Sequence, residues 1–209
     1  MQVEYTHSKY VQATEFLNSQ DTVPYSNISS MDRPNVFTIT GLWEIPYGRR
    51  RHFGSKAPAP INAIFGEWQL SMVEVHQSGA PLTWGNYIFT GDIKNIQLPD
   101  SQQTVARWFN TDAGFNKNSS QQLANNLCTF PIRFSGIRAD AATGWNVSMI
   151  RNYHIRERLA MQFQAEMFNA LNHPVFAAPN TTPTSSAFGT VTNSASEPRS
   201  IDFSLKLVF

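Results

Sequence analysis

The side chains able to do covalent or metal chemistry are few and far apart. Five histidines (His7, His52, His76, His154 and His173) and one cysteine, Cys128, are spread over 209 residues. A single cysteine excludes an intramolecular disulfide framework and any cysteine-based zinc knuckle, and reads as a thiol in a loop or small pocket. The His154-Ile155-Arg156-Glu157 stretch has the spacing of a metal pair only on a helix, and here it reads as a turn between strands. His173 lies in Asn172-His173-Pro174, a loop-forming turn. Glu166 and Asp202 fall on the polar faces of two strands, where paired carboxylates are capable of acid–base work. With Lys206 and Arg151 available, they read instead as members of a lumen charge network. No nucleophile elbow, P-loop, dinucleotide fingerprint or HExxH motif occurs. The expectation is a protein that is not an enzyme, with no cofactor and no metal.

Composition narrows the class further. Sixteen Lys and Arg against 15 Asp and Glu leave a net charge of +1, too little for electrostatic nucleic-acid binding. Charged residues make up 15% of the chain, below the roughly 25% usual in soluble domains. Their place is taken by 17 Asn, 12 Gln, 19 Ser and 16 Thr. Aromatics at 12% rule out a disordered chain. The basic run Arg49-Arg50-Arg51-His52 reads as a solvated turn at a membrane surface, where lipid head groups are within reach. No apolar run is long enough for a membrane-spanning helix. The first residues, Met1-Gln2-Val3-Glu4-Tyr5, lack the basic and apolar regions of a signal peptide. The expectation is either a cytoplasmic chain or one that lacks the front of a longer protein.

The elements that must position these groups are strands, because the hydrophobic period is two. In 199–209 the odd positions are Ile201, Phe203, Leu205, Leu207 and Phe209, set against Ser200, Asp202, Ser204, Lys206 and Val208. In 159–168, Leu159, Met161, Phe163, Ala165 and Met167 oppose Ala160, Gln162, Gln164, Glu166 and Phe168. Trp145, Val147, Met149 and Tyr153 form a third apolar row, which Arg151 breaks. Phe37, Ile39, Trp43 and Ile45 form a fourth. Trp68, Leu70 and Met72 begin a fifth that changes phase at Val73 and Val75, where a bulge is expected. Val3 and Tyr5 suggest a sixth. A tight turn around 154–158 pairs residues whose numbers sum to about 312, which sets Met149 against Phe163 on one face.

Connections of about 20 to 65 residues, rich in Asn, Gln, Ser and Pro, are too long for a compact soluble domain. Outer-membrane barrels combine such external loops with short periplasmic turns. With the C-terminus in the periplasm, 78–143 and 169–198 become external and 154–158 periplasmic. Strands of about ten residues suffice to cross hydrocarbon when tilted. Trp43, Trp68, Trp145, Tyr153, Phe168 and Phe209 near strand ends suit aromatic girdles.

A family resemblance runs through the same segments. It begins with Tyr5-Thr6-His7-Ser8-Lys9, Asp32-Arg33-Pro34-Asn35-Val36-Phe37 and Gly41-Leu42-Trp43-Glu44-Ile45-Pro46-Tyr47-Gly48. It continues through Trp68-Gln69-Leu70-Ser71, Gln77-Ser78-Gly79-Ala80-Pro81-Leu82-Thr83 and Trp108-Phe109-Asn110-Thr111. The strongest block spans 159–176, with Gln162-Phe163-Gln164-Ala165-Glu166-Met167-Phe168-Asn169 and Leu171-Asn172-His173-Pro174-Val175-Phe176. Phe188-Gly189-Thr190-Val191 and Pro198-Arg199-Ser200-Ile201 complete it. In this order they resemble the C-terminal part of the β-barrel of Oar-like TonB-dependent outer-membrane receptors.

The resemblance implies residues 1–209 as barrel wall without a plug domain, taken from a transporter of about 22 strands. It implies active uptake, with TonB engaged only through the missing N-terminal part and the transported substrate unknown. The final residues Phe203, Leu205, Leu207 and Phe209 resemble the signal read by the barrel-assembly machinery. The expected fold is all-β: about six antiparallel up-and-down transmembrane strands with long external loops, forming an open partial barrel when alone. Its partners are outer-membrane lipid and the assembly machinery, not nucleic acid. The alternatives are a soluble secreted β-sandwich that binds carbohydrate, and an outer-membrane barrel enzyme.

Overall fold

The computed structural model describes residues 1–49, 51–121, 127–156 and 159–209. Nine elements follow the chain: β1 (Gln2–His7), β2 (Val11–Glu15), β3 (Tyr25–Ile28), β4 (Asn35–Glu44), α1 (Ala59–Phe65), β5 (Trp68–Gln77), β6 (Ala142–Arg156), β7 (Leu159–Phe168) and β8 (Ser200–Val208). Three short 3-10 turns punctuate the loops at Ile93–Ile96, Asp100–Gln102 and Ser119–Gln121. Six strands form one sheet in the order β1-β4-β5-β6-β7-β8, antiparallel throughout. The sheet is open: β1 and β8 are its edges. The remaining two strands, β2 and β3, pair as a separate hairpin inside the β1–β4 connection.

The ladder gathers the alternating apolar residues onto one face. Val3 lies opposite Ile39 and Tyr5 opposite Phe37; Leu70 lies between Trp43 and Met149. Phe163 faces Arg151 on one side and Leu205 on the other, and Ala165 faces Met149 and Phe203. The opposite face is polar, with rows such as Ser148–Glu166–Asp202 and Asn152–Gln162–Lys206. Side chains alternate across a strand, so the register keeps the two chemistries largely apart, with Glu74 and Arg151 on the apolar face and Val73, Val75 and Ile150 on the polar one among the exceptions.

Three sequence expectations change. First, β5 has no bulge at Val73: its pairing with β4 and with β6 runs without a shift. Inserting an unpaired residue would break ladders on both sides. The strand therefore keeps its phase, leaving Glu74 buried on the apolar face between Ile39 and Trp145. Second, Met149 and Phe163 share a face in adjacent strands but are not directly opposite. Met149 pairs with Ala165 and Phe163 with Arg151, two residues away from the expected register. An irregularity between His154 and Arg156 absorbs the difference; Glu157 and Arg158 of the expected turn lie outside the described residues. Third, Glu166 and Asp202 do stand directly opposite each other, but the expected network with Arg151 and Lys206 does not form. Arg151 projects from the other face, and Lys206 lies opposite Gln162.

Among the described residues, the sheet contributes no buried hydrophobic side chain. Among the described residues, the nine buried hydrophobics are Leu82, Trp84, Ile96, Trp108, Phe109, Phe115, Phe130, Ile137 and Phe188. All lie in the long connections 78–141 and 169–199, at the end of the wall where β1, β5 and β7 finish. The described part of 78–141 holds this aromatic packing and no element of the sheet.

Candidate functional site

The candidate features are the two-faced wall and the loop layer. On the wall, Phe203 is 71% exposed, and Leu205, Leu207, Ile201 and Val3 are also exposed. Phe163 stacks on Phe203 with ring centroids 6.1 Å apart and meets the edge of Trp68 at 5.9 Å. An apolar surface this broad and continuous has water as its worst solvent. A sandwich would cover it with a second sheet of similar extent; among the described residues the other sheet is the two-stranded β2–β3 hairpin. Hydrocarbon satisfies it without any partner chain.

The loop layer is built by groups far apart in sequence. Trp84 lies at its centre, stacked on Phe115 and Phe134 (5.4 and 5.7 Å) and in edge contact with Phe109 and Phe130 (5.1 and 5.6 Å). The main chain approaches itself closely here: a Cβ on Gly91 would sit 1.7 Å from the Ala113 carbonyl oxygen, so only glycine fits. Arg133 ties the β2–β3 hairpin down, donating to Glu15, to Asn27 and, through Nε, to the Ile28 carbonyl at 2.8 Å. Asn18 clasps the segment around Cys128, accepting from its backbone N–H at 2.5 Å and donating to its carbonyl at 3.3 Å. Two clefts open on this layer. One of about 470 Å³ is lined by Asn18, Ser19, Gln20, Trp84 and Asn86, among others. Another of about 540 Å³ includes Gln97, Asp100, Gln103, Trp108 and Arg138.

Asp32 anchors the other side of the hairpin and is 1% exposed. Its burial pushes the carboxyl pKa up. The Tyr10 N–H at 2.6 Å and the Arg138 guanidinium at 2.5 Å outweigh that effect and hold it below the ordinary aspartate value. A pKa lowered on folding stabilises the fold above the unfolded value and loses that contribution as pH falls through the folded one. The layer should therefore hold constant protection of the Tyr10 amide above about pH 5 and lose it progressively as pH falls below about 4 through the lowered pKa. Hydrogen exchange measured across that range checks this; in Asp32→Asn the acid step should be absent.

The remaining sequence candidates are dispersed. His7 Nδ1 meets Asn35 Oδ1 at 2.9 Å, His76 Nδ1 meets Thr143 Oγ1 at 2.8 Å, and His52 packs against Phe53. His173 takes part in the turn through its N–H to Asn169 Oδ1 at 2.9 Å. Among the described residues no three His, Cys, Asp or Glu side chains gather as metal ligands. Phe203, Leu205 and Leu207 line the apolar face of the edge strand β8, and Phe209 follows it, 96% exposed. Sequence reasoning missed Asp32, Arg133 and Arg138, whose partners lie about a hundred residues away, beyond any spacing rule.

Antiparallel strands of membrane-crossing length, one apolar face, one polar face and a folded layer of loops at one end define the wall of an outer-membrane β-barrel. Residues 1–202 match the family described as outer membrane beta barrel domain, and the chain belongs to that family. Its place is the outer membrane. No curated protein and no solved structure matches the chain.

Proposed function

We propose that the chain supplies wall strands and external loops to a TonB-dependent receptor of the Oar-like type, which takes up its substrate actively. The observation that carries this reading is the loop layer. A wall that only sealed the membrane has no use for loops with their own aromatic core and two clefts of ligand size. The resemblance in 159–176 and along the rest of the chain adds the family. Long loops then face the medium, while the 45–67 connection and the β6–β7 turn face the periplasm. The chain contributes binding and passage and performs no covalent chemistry; TonB acts through a plug encoded elsewhere in the receptor. The sequence encoded immediately upstream of Met1 tests the reading. An in-frame plug with a TonB-contact segment supports it, and an unrelated upstream gene overturns it.

The same reading assigns Phe203, Leu205, Leu207 and Phe209 as the strand presented to the barrel-assembly machinery. The side chains of Phe203, Leu205 and Leu207 share one face of an unpaired edge, the geometry of strand addition, and Phe209 follows directly. Deleting Phe209 should lower the fraction of chain that reaches heat-modifiable form in the outer membrane several-fold. An unchanged fraction would remove the assignment.

A further inference from the structure

The 45–67 connection is the part of the molecule that a barrel turn does not require. Its helix α1 lies against the apolar face of the wall, and three wall side chains hold its last turn. Arg151 Nη2 donates to the Asn62 carbonyl at 2.7 Å, Tyr153 Oη to the Ala63 carbonyl at 2.6 Å, and Trp68 Nε1 to the Ile64 carbonyl at 2.9 Å. The last carbonyls of a helix carry the negative end of its dipole and, beyond Asn62, whose carbonyl also accepts the Gly66 N–H at 3.0 Å, lack partners within it. Arg151 is suited to that end, and it is 3% exposed, with its guanidinium 4.3 Å over the Tyr153 ring. The arginine that interrupts the apolar row is therefore a latch for α1.

The latch fixes what α1 presents outward. Ile64 and Phe65 are 60% and 61% exposed, and Phe53 and Ile61 are exposed beside them. An apolar cleft of about 560 Å³ runs beneath, between α1 and the wall, lined by Ile45, Tyr47, Ile64, Phe65, Trp68 and Met149. Cations frame it. Residues 46–67 hold Arg49, Arg50, Arg51 and Lys56 against the single acid Glu67. That segment is thus +3 in a chain whose total is +1, so the rest of the chain is −2. Arg51 is engaged by Glu44 at 2.6 Å, and Arg50 lies outside the described residues. Arg49 and Lys56 are exposed and have no ion pair among the described residues.

We propose that this connection is a binding site for an anionic phospholipid of the bilayer around the wall. The acyl chain occupies the cleft between α1 and Trp68, and Arg49 and Lys56 hold the head group. The surface continues the lipid-facing side of the wall, which is why the occupant is a lipid and not a protein. Tyr47, Trp68 and Tyr153 place polar tips and apolar rings at the level where such a head group sits. A turn with positive φ at Gly48 (127°) keeps the basic run close to α1: a Cβ there would approach Asn62 Oδ1 to 2.9 Å, and that oxygen accepts the Arg49 N–H at 2.7 Å. The proposal depends on the membrane-facing wall alone and stands whether or not a plug belongs to the receptor.

The test uses the full chain, folded in detergent micelles, titrated with phosphatidylglycerol or phosphatidylcholine and read by tryptophan fluorescence and by lipid retained on native mass spectrometry. Phosphatidylglycerol should bind about tenfold or more tightly than phosphatidylcholine, the preference two juxtamembrane cations confer. The Arg49→Gln/Lys56→Gln variant, which leaves the wall untouched, should bind both lipids equally. Phe65→Ser should weaken both lipids alike and keep the preference. Equal binding of the two lipids by the intact chain overturns the site, as does a preference that survives loss of both cations. Heat-modifiable mobility measured on each variant separates loss of the site from loss of the fold.

Discussion

Trp84→Ala is expected to destabilise the loop layer by about 3–5 kcal/mol while leaving the wall assembled. Trp84 is 4% exposed and, among the described residues, is the one ring in contact with Phe109, Phe115, Phe130 and Phe134 together. Its removal leaves a cavity that four aromatic rings on separate turns cannot close without moving backbone. Those turns are already constrained by close approaches such as Gly91 against Ala113. Proteolysis follows the population of the opened state when opening and closing are fast. At about 1.4 kcal/mol per factor of ten, cleavage within 78–141 should accelerate about a hundredfold or more. The strands should keep their heat-modifiable mobility, because the sheet shares no buried hydrophobic with the layer. Unchanged loop cleavage, or loss of the folded wall, would contradict a loop layer held by its own aromatic core on a wall that does not depend on it. Trp84→Phe fills most of the same volume and should recover most of the protection.

The wall was legible in the sequence because a surface between lipid and water imposes period two along every strand. All six strands of the sheet lie where the alternation in Val3–Tyr5, Phe37–Ile45, Trp68–Met72, Trp145–Tyr153, Leu159–Met167 and Ile201–Leu207 puts them. Departures arose where one strand's pattern conflicted with its neighbours. Val73 and Val75 suggested a phase change from local hydrophobicity, yet β4 and β6 hold β5 in continuous register on both sides. The β6–β7 register moved by two residues because an irregularity near the turn, which alternation does not encode, precedes the first regular pair. Arg151 read as a defect because the group it serves, the Asn62 carbonyl, belongs to a helix 89 residues earlier.

The loop layer was legible only as composition. An aromatic fraction of 12% excludes disorder, but rings without period give neither a cluster nor partner assignments. The β2–β3 hairpin is similarly silent: its strands of five and four residues are too short to establish a period. Its geometry comes from Arg133, whose bond to Glu15 spans 118 residues, and from Asp32, held by Arg138 across 106. Such pairs form because the wall brings three loops to the same end, so the loop fold presupposes the sheet.

Which face meets lipid is decided by one comparison: Phe163→Arg is expected to lose about 2–4 kcal/mol of folding free energy in a bilayer, and Gln164→Arg little. The two positions are adjacent in β7 and share its backbone pairing, so only the direction of the side chain differs. Phe163 lies between Arg151 and Leu205 and stacks on Phe203. An arginine there faces hydrocarbon on one side and a second cation on the other. Gln164 lies between Ile150 and Ser204 and donates to Glu166 at 2.8 Å, so an arginine replacing it gains a carboxylate on a wet face. Arg151 on the apolar face is no counterexample. It is covered by α1, bonded to the Asn62 carbonyl and set over the Tyr153 ring, three conditions that an arginine at 163 lacks. Reversible denaturant unfolding in phospholipid vesicles measures both variants against the parent. Equal costs at 163 and 164 would mean that neither face is in lipid, and a larger cost at 164 would turn the wall inside out.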